Sequence, residues 1–120
     1  MATIYKNKIK NIGSEVSAFE GESMFILFGD NAPDTLKDFC YTVDIQPVIE
    51  TIEVCHTIEI DGNEYKITAI GNVAEKNLES LGHVTIVFDG STEASLPGSI
   101  YVEGLEVPKL SIGSEVLIKK

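Results

Sequence analysis

Turn-forming residues recur too often in this chain for long elements to fit between them. Asp61-Gly62-Asn63, Asp89-Gly90 and Pro97-Gly98 each interrupt a run of strand-forming residues. The clearest unit is "TIEI-DGN-EYKITAI" over 57–70. Its flanks alternate apolar and polar, and its centre tolerates positive φ, so it reads as a hairpin. "MFILF" (24–28) is uniformly apolar, as a strand buried on both faces is. "YTVDI" (41–45) alternates, placing Tyr41, Val43 and Ile45 on one face and Thr42 and Asp44 on the other. "VTIVF" (84–88), "SIYVEG" (99–104) and "EVLIK" (115–119) complete the strands. "IGSEV" occurs at 12–16 and 112–116, each copy reading as a Gly-Ser turn before a strand. The pattern predicts an all-β fold: a small barrel-like domain of short, mostly antiparallel strands.

Two short helices interrupt it. Residues 33–40 carry Pro33 at an early position. From Asn72 onward, Glu75 stands at the capping-box position, and Ala74, Leu78 and Leu81 form a stripe that ends at Gly82. The stripe is read as core packing.

At 120 residues the chain has the length of one domain and can bury a core without staples. No apolar run approaches the roughly 18 residues of a membrane helix, and the N-terminal stretch lacks the apolar segment of a secretory signal. A cytoplasmic protein is therefore expected, with Cys40 and Cys55 as reduced, buried, inert thiols. The net charge of −10, from 19 acidic and 9 basic residues, repels phosphate backbones and anionic bilayers. Nucleic acid and membrane are thus poor partners, whereas a basic protein would be attracted.

No metal-ligand spacing, nucleotide-binding glycine loop or serine elbow is present, so no cofactor and no metal are expected. With no Trp and scattered Tyr, there is no evident aromatic platform for stacking a sugar. The carboxylates are scattered and read as a solvated face.

The histidines remain. His83, Thr85 and Val87 share one face of the strand, opposite the more apolar Val84, Ile86 and Phe88. That leaves the His83 imidazole outside the main apolar layer. A neutral ring nitrogen there is a nucleophile able to accept a phosphoryl group. Thr85 could hold the other nitrogen or a phosphate oxygen. The competing reading is a strand-edge histidine bonded to a backbone carbonyl. The negative end of the preceding helix also opposes a dianion, by up to ~1 kcal/mol. His56 is the poorer alternative, because Glu53 and Glu59 flank it and favour the protonated, non-nucleophilic ring.

"GNVAEKNLESLGHVTIVFDG" (71–90) and "LPGSIYV" (96–102) resemble the glucitol/sorbitol-specific enzyme IIA component of the bacterial phosphoenolpyruvate-dependent sugar phosphotransferase system. "IYKNKIKNIG" and "APDTLKDFCY" (32–41) resemble it too, so the likeness runs through nearly the whole chain. The resemblance implies one barrel-like IIA domain over residues 1–120. It also implies a phosphocarrier that takes a phosphoryl group from HPr on a histidine and passes it to the IIB domain of a sugar permease. The family's phosphorylated histidine falls at Val43 here, and valine cannot carry the group. His83, within "LGHVT", matches another family histidine. Asp44 lies beside the vacated position, but no motif supports an aspartyl-phosphate. The alternative is a diverged, non-catalytic interaction or regulatory module of the same family. An incompletely closed barrel would also leave an edge able to pair two chains into a homodimer.

Overall fold

The computed structural model describes residues 2–120. Nine strands in these residues form one curled sheet in the order β1-β9-β5-β6-β8-β7-β3-β4-β2. They are β1 (Thr3–Lys8), β2 (Asn11–Ile12), β3 (Met24–Phe28), β4 (Tyr41–Thr42), β5 (Thr57–Ile60), β6 (Asn63–Ile70), β7 (Val84–Val87), β8 (Ser99–Val102) and β9 (Glu115–Lys119). Helices α1 (Asp34–Lys37) and α2 (Ala74–Leu81) and a 3-10 helix (Val16–Glu22) lie between them. The result is the expected all-β, barrel-like architecture.

The pairings are mostly antiparallel. The β5–β6 hairpin turns through Asp61 and Gly62, at φ 49° and 89°. That backbone suits these two residues and matches the twist of the strands. β3–β4 and β7–β8 are parallel. Parallel neighbours need a crossover, supplied by residues 29–40 with α1 and by 88–98. The sheet ends, β1 and β2, follow one another in sequence, so residues 9–10 bridge them. Ile9 N–H donates to Ser114 O at 2.9 Å, and Lys10 N–H to Thr42 O at 2.7 Å.

Alternation decides what fills the curl. Ile58 and Ile60, Ile67, Val84 and Ile86, and Val116 and Ile118 point inward and join Leu78 of α2 in one buried cluster. Each fully buried side chain of this size contributes about 1.5–3 kcal/mol. Ala69, Val87 and Tyr101 form a second, smaller cluster on the other face of the sheet. This explains why β7 is apolar on both faces.

Several local expectations need correction. The strand over 41–45 stops at Thr42. Val43 N–H still donates to Phe28 O, but the Asp44 carbonyl accepts from the Asn7 side chain, and the chain leaves the sheet. Alternation therefore fails: Thr42 and Val43 are both buried, while Ile45 is 48% exposed. The 33–40 helix shortens to Asp34–Lys37, with Pro33 as its cap residue at ψ 145°. In α2, Val73 occupies the N-cap without a side-chain bond, so Asn72 and Glu75 form no capping box. The Glu75 carboxylate is engaged elsewhere, by Ile52 N–H at 2.6 Å. Leu81 departs from the buried stripe and is 37% exposed. The first IGSEV copy leads into the 3-10 helix; only the second leads into a strand.

The cysteines also part company. Cys40 is buried, its Sγ donating to Leu36 O, and burial pushes the thiol up to about 11. Cys55, expected to be buried, is exposed in a turn at φ 79°. A thiol reagent at pH 8 labels Cys55 rapidly and Cys40 only on unfolding, as mass spectrometry will show; equal labelling of both would contradict this packing. Because the folded thiol is held above its ordinary 9.0, Cys40's contribution is intact below pH 9 and is lost as pH rises toward about 11.

Candidate functional site around His83

His83 is placed by two elements. Gly82 ends α2 at φ 68°, and its N–H reaches the Asn77 and Leu78 carbonyls. His83 N–H also bonds Asn77 O at 3.2 Å. The Leu81 carbonyl accepts from Gly29 N–H at 2.9 Å. These bonds occupy carbonyls that would otherwise concentrate negative charge at the helix end, so the objection raised by the dipole is blunted. A side chain on Gly82 would meet Gly29 N at 3.0 Å in a left-handed backbone. Gly82→Ala is expected to lower stability by about 1–2 kcal/mol in urea unfolding; an unchanged midpoint would count against this account.

Antiparallel pairing sets Leu27 opposite Val84 and so brings Phe28 opposite His83. The Phe28 ring stacks on the imidazole, with centroids 4.2 Å apart and planes inclined by 25°. His83 Nδ1 lies 3.2 Å from Leu27 O. A carbonyl only accepts, so this partner assigns the hydrogen to Nδ1 and the lone pair of the neutral ring to Nε2. Nε2 makes no hydrogen bond to the described residues, and no buried side-chain N or O among them lacks a partner. Nε2 is therefore not sealed in. The carbonyl bond and the open nitrogen, weighed as alternatives from sequence, occur on the same ring.

The imidazole lines a depression of about 140 Å³ with Phe19, Ile26, Leu36, Phe39 and Cys40. Phe19 and Phe39 meet edge-on at 5.8 Å. Apart from the imidazole, this lining carries no cation. Lys10 is held between Asp30 at 2.7 Å and Asp44 at 2.9 Å. The bonds from Asp30 and then Asp44 push it up to about 12. Thr85 does not bond the imidazole, whose Nδ1 belongs to Leu27. Thr85 is half-buried, paired across to Ile26 and Ser99.

His56 has the opposite arrangement. Its Nδ1 accepts Glu53 N–H at 3.1 Å, and its Nε2 lies 3.9 Å from the Glu53 carboxylate. The neutral ring then carries its hydrogen on Nε2 and spends its lone pair on the backbone. Glu59, the other expected neighbour, pairs with Lys119 instead. The two histidines are not brought together by the pairings that place them.

Val43 is wholly buried and sits against the bend at Gly82; a Cβ on Gly82 would lie 3.4 Å from Val43 Cγ2. The vacated position and His83 are thus neighbours across β3. Leu27, Phe28 and Gly29, which fix the imidazole and its bend, were missed from sequence. "MFILF" announced a buried strand, but not which residue would face His83.

No helix among the described residues is long and apolar enough to cross a membrane. No cluster of three or more His, Cys, Asp or Glu among them could hold a metal ion.

Comparison with known proteins gives a consistent picture. A family model described as the PTS system glucitol/sorbitol-specific IIA component matches residues 4–117. Proteins named "PTS system glucitol/sorbitol-specific EIIA component" from Shigella flexneri and Escherichia coli (strain K12) are each 33% identical over 114 residues. The match covers 95% of this chain and 93% of theirs. The crystal structure of a PTS system IIA component from Enterococcus faecalis V583 matches with a TM-score of 0.79 at 27% identity, over 93% of this chain and 97% of that one.

Proposed function

The chain belongs to the glucitol/sorbitol-specific IIA component family of the PTS system, and from that premise we propose that it is a phosphoryl carrier in sugar uptake whose acceptor is His83. The single observation that carries the site assignment is the Leu27 carbonyl on Nδ1, which leaves the Nε2 lone pair available to attack.

In the proposed reaction, His83 Nε2 attacks the phosphorus of phosphohistidine on HPr. The N–P bond of the donor breaks as the new N–P bond forms. Nδ1 keeps its hydrogen and Leu27 O continues to accept it, which steadies the ring as charge develops. Stacking on Phe28 fixes the direction of approach. The second transfer, to a IIB domain, reverses these steps. Little covalent machinery is required: holding the nitrogen in line supplies most of what this chain contributes. The apolar depression excludes water, which would otherwise hydrolyse the phosphoramidate. Thr85, two residues along the same face, is the nearest sequence candidate for a phosphoryl oxygen contact. Residues 1–120 act as one IIA-type domain in this reading, working in the cytoplasm with HPr and IIB as partners.

A second reading is favoured by Val43, which is apolar and wholly buried where the resemblance expects the reactive histidine. In that reading the chain keeps the docking face and transfers nothing. Incubation with phosphoenolpyruvate, enzyme I and HPr separates the two. The carrier reading expects one acid-labile phosphohistidine per chain. Stable HPr binding without label would establish the second reading instead.

A further inference from the structure

A second hollow, of about 490 Å³, adjoins the His83 depression. It lies between the 3-10 helix, the start of β3 and the loop over 105–109, and its lining includes Val16, Phe19, Met24, Phe39, Tyr41 and Val107. Phe19 and Phe39 line both hollows, so this edge-on pair of rings is a wall common to the two. Each hollow also has an exposed leucine in its lining. Leu36, 45% exposed, belongs to the smaller, and Leu105, 52% exposed, to the larger.

The carboxylates on the segments that build these hollows are unlike the rest. Glu15 precedes Val16, Glu22 ends the 3-10 helix, Asp34 and Asp38 bracket Leu36, and Glu106 itself lines the larger hollow. All are exposed, and none has a hydrogen-bond or ion-pair partner for its carboxylate among the described residues. Glu15 N–H donates to Asp38 O at 2.8 Å, so two of these acids are held side by side. Lys37 and Lys109, on the same segments, pair with no carboxylate. Elsewhere the acids are engaged: Glu59 and Glu64 by Lys119, Glu50 by Lys120, Asp30 and Asp44 by Lys10, and Glu75, Glu79 and Glu103 by backbone amides. Away from the hollows, only Glu93 among the described side chains lacks such a partner.

A protein that reaches the imidazole covers about 800 Å² of this chain, far more than the smaller hollow offers. The apolar surface that continues from it, past Phe19 and Phe39, is the larger hollow. Carboxylates left unneutralised around an apolar face favour a partner that brings the cations. We propose that the two hollows form one docking face for the phosphoryl donor: HPr seats an apolar projection in the larger hollow, across Phe19 and Phe39 from His83, and sets Lys or Arg side chains against Glu15, Asp38 and Glu106. This rests on the carrier reading. HPr is the partner that meets the chain before His83 carries a dianion, so for HPr these carboxylates dominate the local charge.

The test titrates the isotope-labelled chain with unphosphorylated HPr, follows the amide resonances, and compares the Kd of variants. Amides of Met24 and Val107, in the larger hollow, shift together with those of Phe19 and Phe39. Leu105→Ser raises Kd at least about fivefold, whereas Ile112→Ser, at a residue 67% exposed that lines neither hollow, leaves it within about twofold. Glu15→Gln/Asp38→Asn raises Kd at least about fivefold at low ionic strength, and the difference vanishes near ~0.5 M salt. Glu93→Gln leaves Kd within about twofold at either salt. All of these positions are exposed, and unaltered resonances of the core strands report that each variant is folded. Shifts confined to the His83 depression, an unchanged Kd in Leu105→Ser, or a charge effect indifferent to salt would each overturn the proposal. Concentration-dependent shifts of Met24 and Val107 without HPr would give the larger hollow to a second copy of this chain, and shifts there with IIB but not with HPr would give it to the permease; either result overturns it. Absence of phosphohistidine ends the carrier reading, and the titration still decides the docking face. Stoichiometric label with unchanged Kd in the variants ends the docking face alone.

Discussion

His83→Ala is expected to reduce phosphoryl uptake from HPr to background, a fall of at least about a hundredfold, whereas His56→Ala keeps stoichiometric labelling. The contrast follows from the hydrogen positions on the two rings. His83 gives its Nδ1–H to Leu27 and leaves Nε2 free, while His56 spends its Nδ1 lone pair on Glu53 N–H. The same geometry specifies the product. The phosphoryl group is attached at Nε2, so the isolated derivative should run with the corresponding phosphohistidine isomer and not with the Nδ1-linked one. Label surviving in His83→Ala would remove this residue from the mechanism. Finding the Nδ1 isomer would show that the Leu27 bond breaks before transfer.

Leu78→Ala should have the largest effect on stability, a loss of about 2–5 kcal/mol in urea unfolding. Leu78 is wholly buried at the centre of α2, where the helix meets the curled sheet. Alanine keeps helix propensity, so the loss measures the cavity and not the backbone. Leu78→Met, which nearly conserves volume, should cost less than about 1.5 kcal/mol. Equal losses from both would show that the site has no defined packing. Because α2 ends at the bend that carries His83, slower phosphoryl uptake is expected to accompany the alanine change near the unfolding midpoint.

Much of the fold was legible because it depends on local patterns. Asp61-Gly62 specified a tight turn whatever lay around it, and Gly82 specified a helix stop. The alternation of Val84, Ile86 and Phe88 identified the inner face of β7. What was not legible depended on distant partners. The 41–45 strand ends early because the Asn7 side chain takes the Asp44 carbonyl, an interaction across 37 positions of sequence. Glu75 left its expected cap for the amide of Ile52. His83 was singled out from sequence, but its tautomer depends on Leu27, 56 positions away, through a pairing that no local pattern records.

The order of strands also bears on how the protein is made. β9 follows every other strand in the sequence, yet it lies between β1 and β5 and pairs with both. While a ribosome is still extending the chain, β1 and β5 therefore have exposed edges that only residues 115–119 can fill. Until those residues have left the exit tunnel the sheet cannot join β1 to β5, so the last of these strands in sequence is the one that closes the curl.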